Sequence, residues 1–387
     1  MWARVLFAVI AGLSLHGGPS ALAQASRAPD VAALTRELVL EPPGAARSAP
    51  LDLDAAMREL KIPSIGIETI DIARGGTSIV RPLGSKASPL YQAASLSKLV
   101  TAVAALRLVE RGRLDLDRDI DAELNVWHLP ASDLTRERKV TLRGLLSMTA
   151  GVGVPGFTGY TPGEPLPNVL QILDGKPPAN SPPVRVVAAP GTRYSYSGGS
   201  YEIVQALIET TTRRPFATAM RDLILRPAGM RDSSFAQPLP DLVAKRAEHG
   251  HRANGEELLD GWRVMPELAA GGLWSTPRDV ARLVTVIARA WRGESSRVLR
   301  PETARVMLTP QNGGPYGLGG AISGTGNDLV LMKRGQNVGY QSYLLLYPAR
   351  GQGIVVMTGS DNGSTLANAL VKRAAAIYGW PLGELMD

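Results

Sequence analysis

In "YQAASLSKLV" (residues 91–100) a serine, Ser95, stands three positions before a lysine, Lys98, at the start of an apolar run. On a helix, positions three apart share a face. Helical side chains lean toward the N-terminus, so Lys98 reaches back to the Ser95 hydroxyl. Ser95 would stand at the helix start, where backbone N–H groups and the macrodipole favour developing negative charge. A serine alkoxide and a tetrahedral oxyanion are charges of that kind. For Lys98 to take the Ser95 proton its amine must be neutral, which requires burial or a cationic neighbour to bring down a pKa of about 10.4. The apolar run supplies the burial. The same spacing also arises from a helix-capping serine followed by a surface lysine, so the pair alone does not establish a nucleophile and its base.

The rest of the composition narrows the chemistry. The chain has no cysteine, which removes thiol nucleophiles and thiolate metal sites. Beyond the first 25 residues the only histidines are His128, His249 and His251, and none sits near a Gly-x-Ser-x-Gly elbow, so a Ser-His-Asp mechanism lacks an obvious base. His249 and His251 in "EHGH" share one side of a strand but have no third ligand nearby, and they read as a surface hairpin. No Walker A or Rossmann glycine pattern occurs between a strand and a helix, and no cofactor is implied. The net charge of +7 comes from 42 basic and 35 acidic residues that are interleaved, as in "TRERK" (135–139). Without a basic stripe laced with aromatics, a nucleic-acid partner is not expected.

The elements that would position Ser95 and Lys98 can be read from periodicity. "SLSKLVTAVAALRLVERG" (95–112) is apolar on most sides at helical spacing and stops at Gly112, which predicts a buried helix. Further helices are expected in "TLRGLLSM" (141–148), "PNVLQIL" (167–173), "GSYEIVQALIETT" (199–211), "TPRDVARLVTVIARAWRG" (276–293) and "STLANALVKRAAAIYGW" (364–380). "PSIGIETIDI" (63–72), the turn "ARGG" and "TSIV" (77–80) read as an antiparallel hairpin. "DLVLMK" (328–333), "GYQSYLLLYP" (339–348) and "GIVVMTG" (353–359) read as strands. Strands at both ends with helices between them imply an α+β fold in which the two ends meet in one antiparallel sheet, flanked by terminal helices, with a large mainly helical subdomain inserted. The expected division is an arm over 26–60, a sheet subdomain over 61–94 and 311–387, and a helical subdomain over 95–310. Trp262, Trp274 and Trp291 are expected to pack, and the loop "VPGFTGYTPGEPLP" (154–167) could bring Phe157 and Tyr160 to a cleft.

Several segments together resemble a known family. "YQAASLSKLVTAVAALRLVERGRLDLD" is similar to the serine-lysine helix of class C β-lactamases, penicillin-binding DD-peptidases and family VIII carboxylesterases. "TLRGLLSMTAGV" resembles the segment that follows there, with Met148 where those proteins often carry His. "PGTRYSYSGGSYEIVQALIE" resembles their Tyr-x-Asn motif on Tyr196, and "MKRGQNVGYQS" their Lys/His-x-Gly motif on Lys333 and Gly335. The resemblance runs in order from about residue 60 to 382. It implies the β-lactamase/transpeptidase-like fold, Ser95 as nucleophile, Lys98 as base and Tyr196 as proton shuttle. It further implies Lys333 bordering the site, and an oxyanion hole from the backbone N–H groups of Ser95 and Gln336. Gly198 departs from the pattern, standing where class C enzymes carry an asparagine that contacts the lysine and the substrate's acylamide. That change favours small esters over β-lactams and is expected to leave a roomier pocket wall, while Lys333 keeps a charge suited to a carboxylate.

The implied activity is hydrolysis of small carboxylic esters through an acyl-enzyme. β-Lactamase or D-amino-acid peptidase activity is the alternative, and a penicillin-binding sensor without turnover is a reading of another class. The partner is a small-molecule ester, β-lactam or peptide. The first 25 residues, with Arg4, an apolar run from Val5 to Leu15 and "ALAQA", read as a signal peptide cut after Ala25. That run is too short to span a bilayer, so a periplasmic or secreted protein is expected.

Overall fold

The computed structural model describes residues 31–81, 89–294 and 296–382; the expected signal peptide lies outside them. Six strands form one sheet in the order β2-β1-β8-β7-β6-β5, all neighbours antiparallel. They are β1 (Ile65–Asp71), β2 (Ser78–Arg81), β5 (Ala321–Ser323), β6 (Val330–Asn337), β7 (Tyr340–Tyr347) and β8 (Gln352–Thr358). A separate two-stranded ribbon pairs β3 (Tyr91–Gln92) with β4 (Trp274–Ser275). The two ends of the chain meet where β1 pairs with β8, Ile65 opposite Thr358 and Asp71 opposite Gln352.

Side chains alternate across a strand, so each central strand feeds two cores. On β7, Tyr343, Leu345 and Tyr347 enter one core while Leu344 and Leu346 enter the other; on β8, Ile354 and Val356 oppose Val355 and Met357. Burial on both faces is why these strands read as unbroken apolar runs. The first core is closed by the C-terminal helix Gly363–Tyr378 and by residues 31–60. The latter, read from sequence as an arm, lie along the sheet: Leu34, Leu38 and Leu40 are buried, Leu38 bridges Leu51, and a short helix covers Leu53–Glu59.

The second core holds the helical part. Helix Leu96–Glu110 is buried on nearly all sides, which its apolar periphery requires. Beside it lies helix Gly198–Thr212, also largely buried. Helix Pro277–Trp291, which falls within the helical part by chain order, contributes Val280, Val284 and Ile287 to this core. Its Pro277 sits over Gly66 of β1, where a Cβ would come within 2.8 Å of the proline ring. The edge strand β5 pairs with Val330–Met332, so among the described residues the stretch Lys333–Asn337 of β6 has no strand partner on that side. That open edge runs past the start of helix Leu96–Glu110, and the cleft between them is the candidate site.

Candidate active site

Ser95 enters the cleft from a strained turn. Ala94, just before it, has a positive φ of 48°, a conformation that costs of order 1 kcal/mol or more for a residue with a side chain. The surroundings hold it in place: Ala93 N–H donates to Leu273 O (2.8 Å), Ser97 Oγ donates to Ala94 O (2.6 Å), and Leu273 N–H donates to Ser97 Oγ (3.0 Å). Gly335 on the β6 edge makes a close approach possible, since a Cβ there would lie 2.6 Å from Ala93 O and 3.0 Å from Ser95 N. Ser95 stands at the N-cap of its helix but makes no capping hydrogen bond. Its hydroxyl is turned to Lys98 and Tyr196 instead, so the helix-cap reading does not describe it.

Nor does Lys98 reach the surface: it is 2% exposed. Its Nζ donates to Ser95 Oγ (3.0 Å) and to Ala270 O (2.8 Å). The turn carrying Ala270 is itself held by helix Gly198–Thr212, whose Gln205 Oε1 accepts from Ala269 N–H (3.1 Å) and whose Glu202 Oε1 accepts from Ala270 N–H (3.2 Å). Glu202 and Gln205, three apart, share the face that meets this turn.

Tyr196 OH lies 2.8 Å from Ser95 Oγ and accepts from Lys333 Nζ at 3.2 Å. Its ring lies 5.2 Å from Lys98 Nζ and 4.7 Å from Lys333 Nζ. Burial opposes ionisation of this phenol, but the Lys98 and Lys333 charges, with hydrogen bonds to Ser95 and Lys333, outweigh it and pull the pKa down to about 7. For the neighbouring Tyr316 and Tyr201, burial wins and keeps both phenols neutral. Lys333 is wholly enclosed; burial pulls its pKa below the usual lysine value, against the opposing pull of Tyr196. The ionisable pair is therefore tuned from both sides: a phenol that loses its proton near neutrality and an ammonium that holds its own less tightly. A group with a pKa near the working pH is suited to proton transfer in both directions.

The site residues expected from sequence are thus found together: Ser95, Lys98, Tyr196, Lys333, Gly335, Gln336 and Gly198 all lie in or beside one cleft of about 600 Å³. Gln336 sits on the open β6 edge with its side chain exposed. Gly198 differs from expectation in one respect. The space beside it is not left open, because a Cβ there would come within 2.9 Å of the Phe157 ring. Tyr160 does not line the cleft; it is buried, and its OH accepts from Asn180 N–H (2.9 Å). His249 lies on an exposed hairpin against Glu257 (2.6 Å), and no three potential metal ligands converge among the described residues. Trp274, on the ribbon, packs edge to face with Trp262.

Tyr316, Glu267 and Glu202 are not singled out from the sequence, and Met148 stands out there only for its place in a resembling segment. Tyr316 OH accepts from Lys333 Nζ (3.2 Å), and its ring lies 5.2 Å from that of Tyr194, tilted by 34°. Met148 is buried with a positive φ; its carbonyl accepts from Ser195 N–H (2.8 Å) and its sulfur from Ser197 N–H (3.3 Å), gripping the chain on both sides of Tyr196. Glu267 is fully buried with both carboxylate oxygens unpartnered, and burial pushes its pKa up to about 7. Glu202 is driven well above the carboxylate range, chiefly by burial and then by Glu267.

The chain is similar to several known proteins. Protein Rv1367c of Mycobacterium tuberculosis (strain ATCC 25618 / H37Rv) is 27% identical over 273 residues, covering 65% of this chain and 64% of the relative. Esterase EstB of Burkholderia gladioli is 30% identical over 234 residues, 55% of this chain and 57% of its own. The chain spans less than two thirds of the length of these curated relatives. The structure of an octameric penicillin-binding protein homologue from Pyrococcus abyssi superposes with a TM-score of 0.69 at 23% identity, over 85% of this chain and 76% of that one, a likeness of fold. A family model described as β-lactamase matches residues 67–377, which takes in both sides of the cleft and every residue that lines its reactive centre, and the chain belongs to that β-lactamase family.

Proposed function

We propose that the protein is a serine hydrolase that forms an acyl-enzyme on Ser95 and acts on carboxylic esters of small acyl groups. The observation that carries this reading is the uncapped Ser95 Oγ, within 3.0 Å of Lys98 Nζ and 2.8 Å of Tyr196 OH. In place of the Lys98 base expected from the resemblance, the Ser95 proton passes to the Tyr196 phenolate as Oγ bonds to the substrate carbonyl carbon, and Lys98, adjoining both groups, helps keep the phenol ionised. The backbone N–H groups of Ser95 and Gln336 receive the resulting oxyanion. The carbon–oxygen bond to the alcohol then breaks, and Tyr196 returns the proton to the departing oxygen. In the second half the same phenolate takes a proton from water, whose oxygen attacks the acyl carbon; the bond from that carbon to Ser95 Oγ breaks, and Tyr196 returns the proton to Oγ as the acid leaves.

Ester preference is supported by Gly198, which offers no side-chain amide to a substrate acylamide, and by the similarity to Esterase EstB. A second reading, hydrolysis of a β-lactam or a D-amino-acid peptide, is favoured by Lys333, a basic side chain in the lining of the cleft. Turnover of p-nitrophenyl butyrate and of nitrocefin by the same preparation separates the two. Ester kcat/KM should exceed that for nitrocefin at least tenfold; the reverse order would sink the ester assignment. Acylation by both without release would instead describe a penicillin-binding sensor. The leader-like first 25 residues support export to the periplasm or beyond. Recovery of the full-length product, leader attached, in the cytoplasmic fraction of the native host would contradict this. No helix among the described residues is long and apolar enough to cross a membrane.

A further inference from the structure

We propose that Phe157 determines acyl-group specificity: held against Gly198 by the loop 153–157, its ring forms an apolar wall that selects alkyl acyl chains and rejects acylamides. This rests on the ester-hydrolase reading of Ser95. The loop is fastened to the first turn of helix Gly198–Thr212 by three hydrogen bonds. Ser197 Oγ donates to Gly153 O (2.7 Å), Gly199 N–H to Val154 O (3.0 Å) and Gly198 N–H to Pro155 O (3.1 Å). Two N–H groups that a helix start leaves unpaired are thereby used by the loop and are not available to a substrate.

The paired glycines are explained by space rather than by backbone conformation. Neither Gly198 nor Gly199 has a positive φ. A Cβ at Gly199 would come within 2.7 Å of Gly153 O and one at Gly198 within 2.9 Å of Phe157 Cε2. Both positions must lack a side chain for the loop to lie this close. What the loop delivers to the cleft is a half-buried aromatic ring, with Pro155 and Met265 beside it in the lining.

The lining of the cleft therefore holds two kinds of group. Lys333, Tyr196 and Tyr316 form a hydrogen-bonded polar cluster, from which Tyr196 can hand a proton to a leaving oxygen. In the proposed arrangement the leaving alcohol meets that cluster and the acyl chain lies against Phe157. An acylamide placed on that wall would lose its water and gain no hydrogen bond. An alkyl chain gains about 0.8 kcal/mol per buried CH2, roughly fourfold in rate for each when the contact persists in the transition state.

The test compares kcat/KM for p-nitrophenyl acetate and butyrate in the wild type and in Phe157→Ala, Phe157→Leu, Gly198→Asn and the Phe157→Ala/Gly198→Asn double variant. The wild type should prefer butyrate roughly tenfold or more, from two added CH2 groups. Phe157→Ala should cut that ratio about fivefold and Phe157→Leu should largely keep it. Gly198→Asn alone should lose soluble protein or activity, while the double variant should fold, with nitrocefin turnover raised relative to ester. An unchanged butyrate-to-acetate ratio in a folded Phe157→Ala variant overturns the proposal, as does a ratio that moves only with the size of the alcohol. Labelling of Ser95 by fluorophosphonates with short and long alkyl groups on phosphorus reads the same wall without ester turnover. Loss of wild-type ester turnover with a Phe157-dependent labelling ratio would refute the ester reading and leave the wall intact.

Discussion

Replacing Lys333 by methionine keeps most of its stem and removes one of the two charges that hold the Tyr196 phenol near neutrality. Lys333 Nζ and Tyr196 OH are 3.2 Å apart. At an effective dielectric of 20, a full charge at that distance is worth about 5 kcal/mol, nearly 4 pH units. The cleft admits solvent, which screens the pair, and Lys98 stays in place. Halving the figure gives a rise of roughly 2 pH units. The Tyr196 pKa would move from about 7 upward to near 9. If the phenolate is the reactive form, kcat/KM of the wild type should climb with pH through about 7. In Lys333→Met the same limb should be centred near pH 9, with activity at pH 7 down about 50-fold and approaching wild type by about pH 10. A neutral substrate, p-nitrophenyl butyrate, keeps carboxylate recognition out of the comparison. A variant that loses the same factor at every pH, with its acid limb still near 7, would refute the electrostatic role and leave Lys333 as a binding or structural residue.

Lys98→Met and Tyr196→Phe should each lower the rate of Ser95 acylation by about 10²- to 10⁴-fold with the circular dichroism spectrum unchanged; near-normal acylation in either would point to another base. Glu267 gives a stability signature of opposite sign to an ordinary carboxylate. Its folded pKa is raised from 4.5 to about 7 by burial, so its contribution is intact below pH 4.5 and is lost as pH rises through 7. The loss is worth about 3 kcal/mol, and Glu267→Gln should gain several degrees in Tm relative to wild type between pH 5 and pH 8.5; a difference that does not vary with pH would show the carboxyl ionised throughout.

The frame of the fold was legible because its strongest elements are periodic. Helix Leu96–Glu110 is apolar all round and β7 and β8 are apolar runs bounded by turns, so their burial followed from pattern. Ser95 and Lys98 were legible from helical spacing, and Tyr196 and Lys333 from segments that resemble a family. Residues 31–60 were harder, since prolines and alanines hide the spacing of Leu34, Leu38 and Leu40, which have no helix long enough to reveal them. Phe157, Met148 and Tyr316 stand in irregular segments, where no period says which way a side chain points. Their partners, Gly198, the chain around Tyr196 and Lys333, are brought to them only by tertiary folding. Glycine at 198 could be read as a missing asparagine, but not as the seat of an aromatic ring.

The central claim is that Ser95, unlocked from its helix cap and flanked by Lys98 and Tyr196, is the nucleophile. Intact-protein and peptide mass spectrometry after brief reaction with a fluorophosphonate tests it directly. One adduct should form, on the peptide containing Ser95, faster at pH 8 than at pH 6, and it should vanish in a folded Ser95→Ala variant. An adduct on any other serine, or one that survives in Ser95→Ala, would contradict the assignment.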